Sequence, residues 1–145
     1  MGILTNIIAA EEDEVEAIGE SLQPLDEWSG IALRDLTIPR IVMLHCLLTG
    51  DLFDDAFILY EPIYLSAAEG ALVLRMAEGA VARLADLDEE ALAAVADELM
   101  ATEEYEDTGW SDEDVGAMLA ALGDLARLAE SQGQTLFVWL HPLRT

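Results

Sequence analysis

The sequence predicts an α+β fold, a compact single domain over residues 1–145 with about four helices and a small mixed or antiparallel sheet. Three observations predict it. β-prone apolar segments lie near both chain ends, helical apolar spacing fills the second half, and 53% of residues are hydrophobic against 25% charged. A chain of 145 residues is long enough for one hydrophobic core. No repeat of fixed period and no low-complexity linker divides it.

Ile3 to Ala9 is short and apolar enough for an opening strand, and the acidic run after it suits the start of a helix through Glu20, where carboxylates favour the helix dipole. Pro24 interrupts that helix. Leu25 to Leu36 mixes Trp28 and Gly30 with charged residues and reads as a connection, followed by a helix with Pro39 in its first turn. Arg40 to Leu48 is nearly all apolar and predicts a core helix closed by Gly50. A strand competes there, because Ile41 and Val42 favour β structure. From Asp51 to Ser66 the pattern gives a loop, a brief apolar element around Ile58 to Tyr60, and a turn beyond Pro62.

Ala71 to Arg75 reads as a strand feeding a helix through Ala85. The next helix runs from about Asp88 to Ala101, with Leu92, Val95, Ala96 and Leu99 on one face and Asp97 and Glu98 on the other. Ser111 is an N-cap before an acidic first turn, and Val115, Met118, Leu119, Leu122 and Leu125 mark a long helix that Gly133 ends. Thr135 to Leu140, with Trp139, supplies a closing strand.

Charge narrows the function classes. Thirty acidic residues stand against six basic ones, all arginine, for a formal net charge of −24. Such a field repels phosphates and anionic head groups and attracts cations, so neither direct nucleic-acid binding nor membrane binding is expected. The lone Cys46 excludes an intrachain disulfide and a cysteine-based metal cluster. The N-terminus has no basic region ahead of its apolar start, Gly2 is followed at position 6 by Asn6 rather than Ser or Thr, and apolar stretches fall short of the roughly 18 residues that span a bilayer. The expectation is a cytoplasmic protein.

No GxSxG elbow, HExxH helix or GxxxxGK[ST] loop occurs, so no catalytic residue, metal ligand or cofactor is assigned. The acidic run EEDEVE lacks the ligand spacing and glycine turn of a calcium loop and reads as a solvated helix start. His45 and Thr49 are candidates for ligand contact or for a structural role, since four positions put them on one helical face. No carboxylate accompanies His45 at an orienting short-range spacing, and a satisfied core histidine is the plainer reading. His141, after the closing strand, would join His45 only if the fold brought them together. Cys46 reads as a small buried thiol.

Leu44-His45-Cys46-Leu47-Leu48-Thr49-Gly50 carries a resemblance. Together with the opening Met1-Gly2-Ile3, the acidic helix, ALVLRMAEGAVARLADLDEEALAAVADELM and LARLAESQGQTLFVWL, it resembles the YfbM-like family of small bacterial proteins of unknown function over most of the chain. The resemblance implies a compact α+β domain in which LHxxLTG is the most recognisable local motif, with His45 and Thr49 on or at the end of the core helix. Position 43 departs from it, holding Met43 where a bulkier residue is expected. The family brings no established chemistry.

The segment 86–114 is the strongest functional clue, because it holds 13 carboxylates and no arginine. Its candidate protein-binding residues are Glu98, Glu103, Glu104, Glu106, Asp107, Asp112, Glu113 and Asp114, with Tyr105, Trp110 and Trp28 as aromatic anchors. The function expected is an inhibitor or immunity-like binder of a basic protein. Alternatives are a DNA mimic, a small-molecule-binding domain, or an enzyme centred near His45. Adaptation of the surface for solubility explains the same charge. Homodimerisation through an Ala/Leu-rich helix face is the remaining option for assembly, although those residues also suit the core.

Overall fold

The computed structural model describes residues 3–21, 23–67, 70–106 and 109–141, and places strands from opposite ends of the chain side by side at the centre of one sheet. β1 (Leu4–Ala10) and β5 (Thr135–His141) pair antiparallel from Leu4↔His141 to Ala10↔Thr135. Both are buried along almost their whole length, which is why apolar residues dominate them, although Thr5, Asn6 and His141 are buried polar residues of the same strands. β2 (Ser29–Arg34) pairs with β1, β4 (Leu72–Arg75) with β5, and β3 (Tyr64–Leu65) with β4. Every pairing is antiparallel, and the order is β2-β1-β5-β4-β3.

Between the strands lie α1 (Val15–Glu20), α2 (Ile38–Thr49), α3 (Phe53–Ile58), α4 (Glu78–Asp86), α5 (Glu89–Met100), α6 (Glu103–Glu106) and α7 (Asp112–Gln132), with 3-10 turns at Glu12–Glu14 and Pro24–Asp26. The structure is α+β, but the expected layout of about four helices is corrected to seven α-helices among the described residues, around a fully antiparallel sheet. The physical reason is length. α3 has six residues and α6 four, too few for a 3.6-residue periodicity to register, and such short helices are held by tertiary packing rather than by intrinsic propensity.

β2 corrects the connection expected over Leu25 to Leu36. Its residues are at most half-buried, so it has no strong pattern of its own and owes its conformation to pairing with β1. Asp35 then reverses the chain at a positive φ of 62°. Its carboxylate accepts from the Ile3 N–H at 2.9 Å, and its own N–H donates to the Ile3 carbonyl at 2.8 Å.

Strand alternation divides the core in two. Ile7, Ala9, Leu74, Leu136 and Val138 face the large helical layer, where α7 contributes Val115, Met118, Leu119, Leu122, Leu125, Ala126 and Ala129 on one stripe. Ile8, Val73, Phe137 and Trp139 face the other way and are covered by Val15 and Ile18 of α1 together with Leu25, Trp28 and Tyr64. Gly19 permits that second cover, because a Cβ there would fall 2.1 Å from the Tyr64 ring. No helix among the described residues is long and apolar enough to cross a membrane.

Candidate functional site

The acidic segment is built on α5, α6 and the first turn of α7. Asp88 caps α5 by accepting from the Ala91 N–H at 2.7 Å. Ser111 caps α7 reciprocally: its hydroxyl accepts from the Asp114 N–H at 3.1 Å, while its own N–H donates to the Asp114 carboxylate at 3.0 Å. Acids are therefore placed where helix dipoles favour them. Of the nominated residues, Glu98, Glu103, Glu106, Asp112, Glu113 and Asp114 are exposed, Glu104 is half-buried, and Asp107 lies outside the described residues. Among the described residues no ion pair uses a side chain of this segment.

The aromatic anchors expected beside these acids are placed differently. Tyr105 is fully buried, its hydroxyl donates to the Arg40 carbonyl at 2.8 Å, and burial pushes its ionisation well above the usual tyrosine value. Arg40 returns the tie by donating from Nε to the Glu104 carbonyl at 2.7 Å. Trp110 is half-buried with its ring centroid 5.8 Å from that of Tyr105. Trp28 belongs to the opposite face of the sheet, where its indole N–H donates to Glu14 at 2.9 Å. Tyr105 thus locks α6 onto α2 and has no surface to offer a partner.

His45 sits in a built cluster. α2 ends at Gly50, whose φ of 83° is the left-handed conformation glycine adopts at low cost. Thr49 donates from its hydroxyl to the His45 carbonyl at 2.9 Å and accepts from the Asp51 N–H at 3.2 Å, which folds the turn back on the helix. Asp51 consequently reaches His45 Nε2 at 2.7 Å, correcting the expectation that no carboxylate accompanies this histidine. The available signal was Thr49-Gly50-Asp51: a helix stop followed directly by an acid.

The other ring nitrogen, Nδ1, lies 3.0 Å from the Tyr60 hydroxyl. That hydroxyl also accepts from the Ala77 N–H at 3.3 Å; the Asp51 carboxylate can only accept, so Nε2 donates to it, and in the neutral ring Nδ1 is then the acceptor for the Tyr60 hydroxyl. Hydrogen bonding from His45 holds the Asp51 carboxyl below its ordinary range. Burial pushes Tyr60 up to about 12. The Cys46 thiol is pushed up as well, by burial and by the charges of Asp51 and Glu104, the reverse of what a reactive thiolate needs. With His45 only 2% exposed and both ring nitrogens engaged, the cluster ties α2, the turn after it and the start of α4 together, and presents no free base to a substrate.

His141 is buried at the end of β5, its ring 5.5 Å from that of Trp139. Among the described residues, no group of three or more His, Cys, Asp or Glu side chains is placed to hold a metal ion.

No protein-family model matches the chain, and no curated protein matches it. Among solved structures, that of YfbM from Escherichia coli, a protein of unknown function, is similar at 16% identity and a TM-score of 0.47, over 94% of this chain and 99% of that one.

Sequence reasoning missed the surface around α3 and β3. The large hydrophobic side chains exposed among the described residues are Leu52, Phe57, Ile58, Leu59, Ile63 and Leu65, all within one segment. Asp51, Asp54, Asp55 and Glu61 of the same segment are exposed too. The sequence signal was Leu52-Phe53-Asp54-Asp55-Ala56-Phe57-Ile58-Leu59, whose apolar residues are too many for one face of a six-residue helix.

Proposed function

We propose that this chain is a YfbM-like protein that binds a basic protein and occludes its cationic surface, as an inhibitor or immunity-like protein does. The observation that carries the reading is the exposure of Glu98, Glu103, Glu106, Asp112, Glu113 and Asp114 on consecutive elements, with no ion pair of their own among the described residues. Exposed carboxylates that no internal cation neutralises among the described residues keep their field for the solvent side, where it speeds encounter with a cationic surface and repels an anionic one. The YfbM-like assignment rests on the sequence motif around His45, which the cluster with Asp51 and Tyr60 explains as a structural tie.

The test is affinity capture from native extract at low and moderate salt, against a folded control of matched charge, with captured proteins identified by mass spectrometry. A basic protein retained repeatedly by this chain and released by Glu98→Lys, Glu103→Lys and Glu113→Lys supports the reading. Equal retention of the same proteins on the control overturns it.

A further inference from the structure

An acidic field steers a partner but does not hold it; a lasting complex also needs apolar area taken out of water. Tyr105 is buried and unavailable for this. α3 has an apolar inner side in Phe53, Ala56 and the following Tyr60, with Ala56 and Tyr60 fully buried. Ile58 lies on its outer side at 66% exposure, Phe57 lies beside Phe53 with 45% of its surface exposed, and Leu52, Leu59, Ile63 and Leu65 flank them. Large apolar side chains gathered in one short segment and left in water have the composition of a covered surface.

The flanking charge identifies what covers it. Asp51, Asp54, Asp55 and Glu61 are exposed around these residues, and the sequence has no arginine between Arg40 and Arg75. A second copy docking the same face would bring the same four carboxylates against them, and an anionic lipid surface would meet the same repulsion. A cationic segment with an apolar face meets both features. We infer that the α3–β3 surface around Ile58 is the docking site for an amphipathic, positively charged segment of a partner protein. The inference rests on the basic-partner reading and moves the gripping surface from 86–114 to 52–65.

The experiment uses the full chain and three labelled synthetic probes: an amphipathic Leu/Lys helical peptide, a scrambled peptide of the same composition without an apolar face, and an amphipathic Leu/Glu peptide. Binding is read by fluorescence anisotropy, and amide shifts of the unsubstituted protein locate the contact. The expected result is at least tenfold tighter binding of the Leu/Lys helix than of either other probe, with shifts concentrated in residues 52–65. Leu52→Ser with Ile58→Ser removes at least tenfold of that affinity and leaves the weak binding of the scrambled peptide unchanged.

Shifts concentrated elsewhere, or affinity unchanged in the double variant, overturn the docking site while leaving the basic-partner reading standing. Equal binding of the Leu/Glu and Leu/Lys helices overturns the basic-partner reading and with it the cationic occupant. Sedimentation of the free protein as a dimer that Ile58→Ser dissociates assigns the surface to a second copy. Flotation with phosphatidylcholine vesicles, lost in the double variant, assigns it to lipid. Either result overturns the inference.

Discussion

Residues 86–114 and residues 52–65 are both acidic and both include helix, and they treat their apolar side chains in opposite ways. The first segment buries Leu99 and Tyr105 and, among the described residues, leaves all its carboxylates but the half-buried Glu104 exposed to solvent. The second exposes six large apolar side chains among its acids. Length accounts for much of the difference: the 12 residues of α5 can turn one apolar stripe inward, whereas the six of α3 cannot hide apolar residues that lie on both sides. Density of charge along a sequence therefore marks where water is met, and exposed apolar area marks where a partner gains by closing.

The sharpest test of that contrast is a pair of truncations read by chemical denaturation. Tyr105→Ala in the acidic segment removes a fully buried ring and its bond to the Arg40 carbonyl, and should cost about 3–5 kcal/mol of stability. Phe57→Ala in the apolar segment removes a ring that is 45% exposed, and should cost no more than about 1 kcal/mol, near the range of surface substitutions. Equal costs would break the contrast.

His45→Ala comes next, at about 2–4 kcal/mol, since it opens a cavity and leaves the buried Tyr60 hydroxyl without its acceptor. Asp51 adds an acid dependence. Its folded carboxyl titrates below the ordinary 3.8, so its contribution is complete above that pH and is lost as pH falls through the depressed folded value. Asp51→Asn should flatten that part of an acid-unfolding curve.

Tyr60→Phe should cost about 1–2 kcal/mol at neutral pH by removing the hydroxyl bridge between His45 and the Ala77 N–H. Because the folded value is raised from 10.0 to about 12, the phenol favours the folded state below pH 10 and loses that advantage as pH rises toward 12. The variant should therefore lose stability less steeply across that alkaline interval. The smallest expected effect on stability belongs to Glu103→Gln with Glu113→Gln, about 0.5 kcal/mol or less in either direction. The same pair should weaken capture of the cationic partner, more at low salt than at high salt.

The long elements were legible because each carries its own signal. Pro39 and Gly50 bracket α2, Ser111 and Gly133 bracket α7, and the two chain-end strands stand out as short, mostly apolar segments. β2 was not legible, because its partner β1 holds it and its own residues are only partly buried. The same limit applied to the candidate site. Thr49 and His45 could be named from the sequence, whereas Tyr60 enters the cluster only because α3 packs on α2.

The sequence by itself determined the net charge of −24, the α+β class, the caps and the amphipathic stripes, because these depend on composition and on neighbours within a few turns. Only the tertiary structure decided that Tyr105 is buried, that Asp51 and Tyr60 close on His45, and that the apolar side chains left outside gather between Leu52 and Leu65. Burial is a property of contacts between segments far apart in the chain, and no local pattern records which of two apolar faces the core will take.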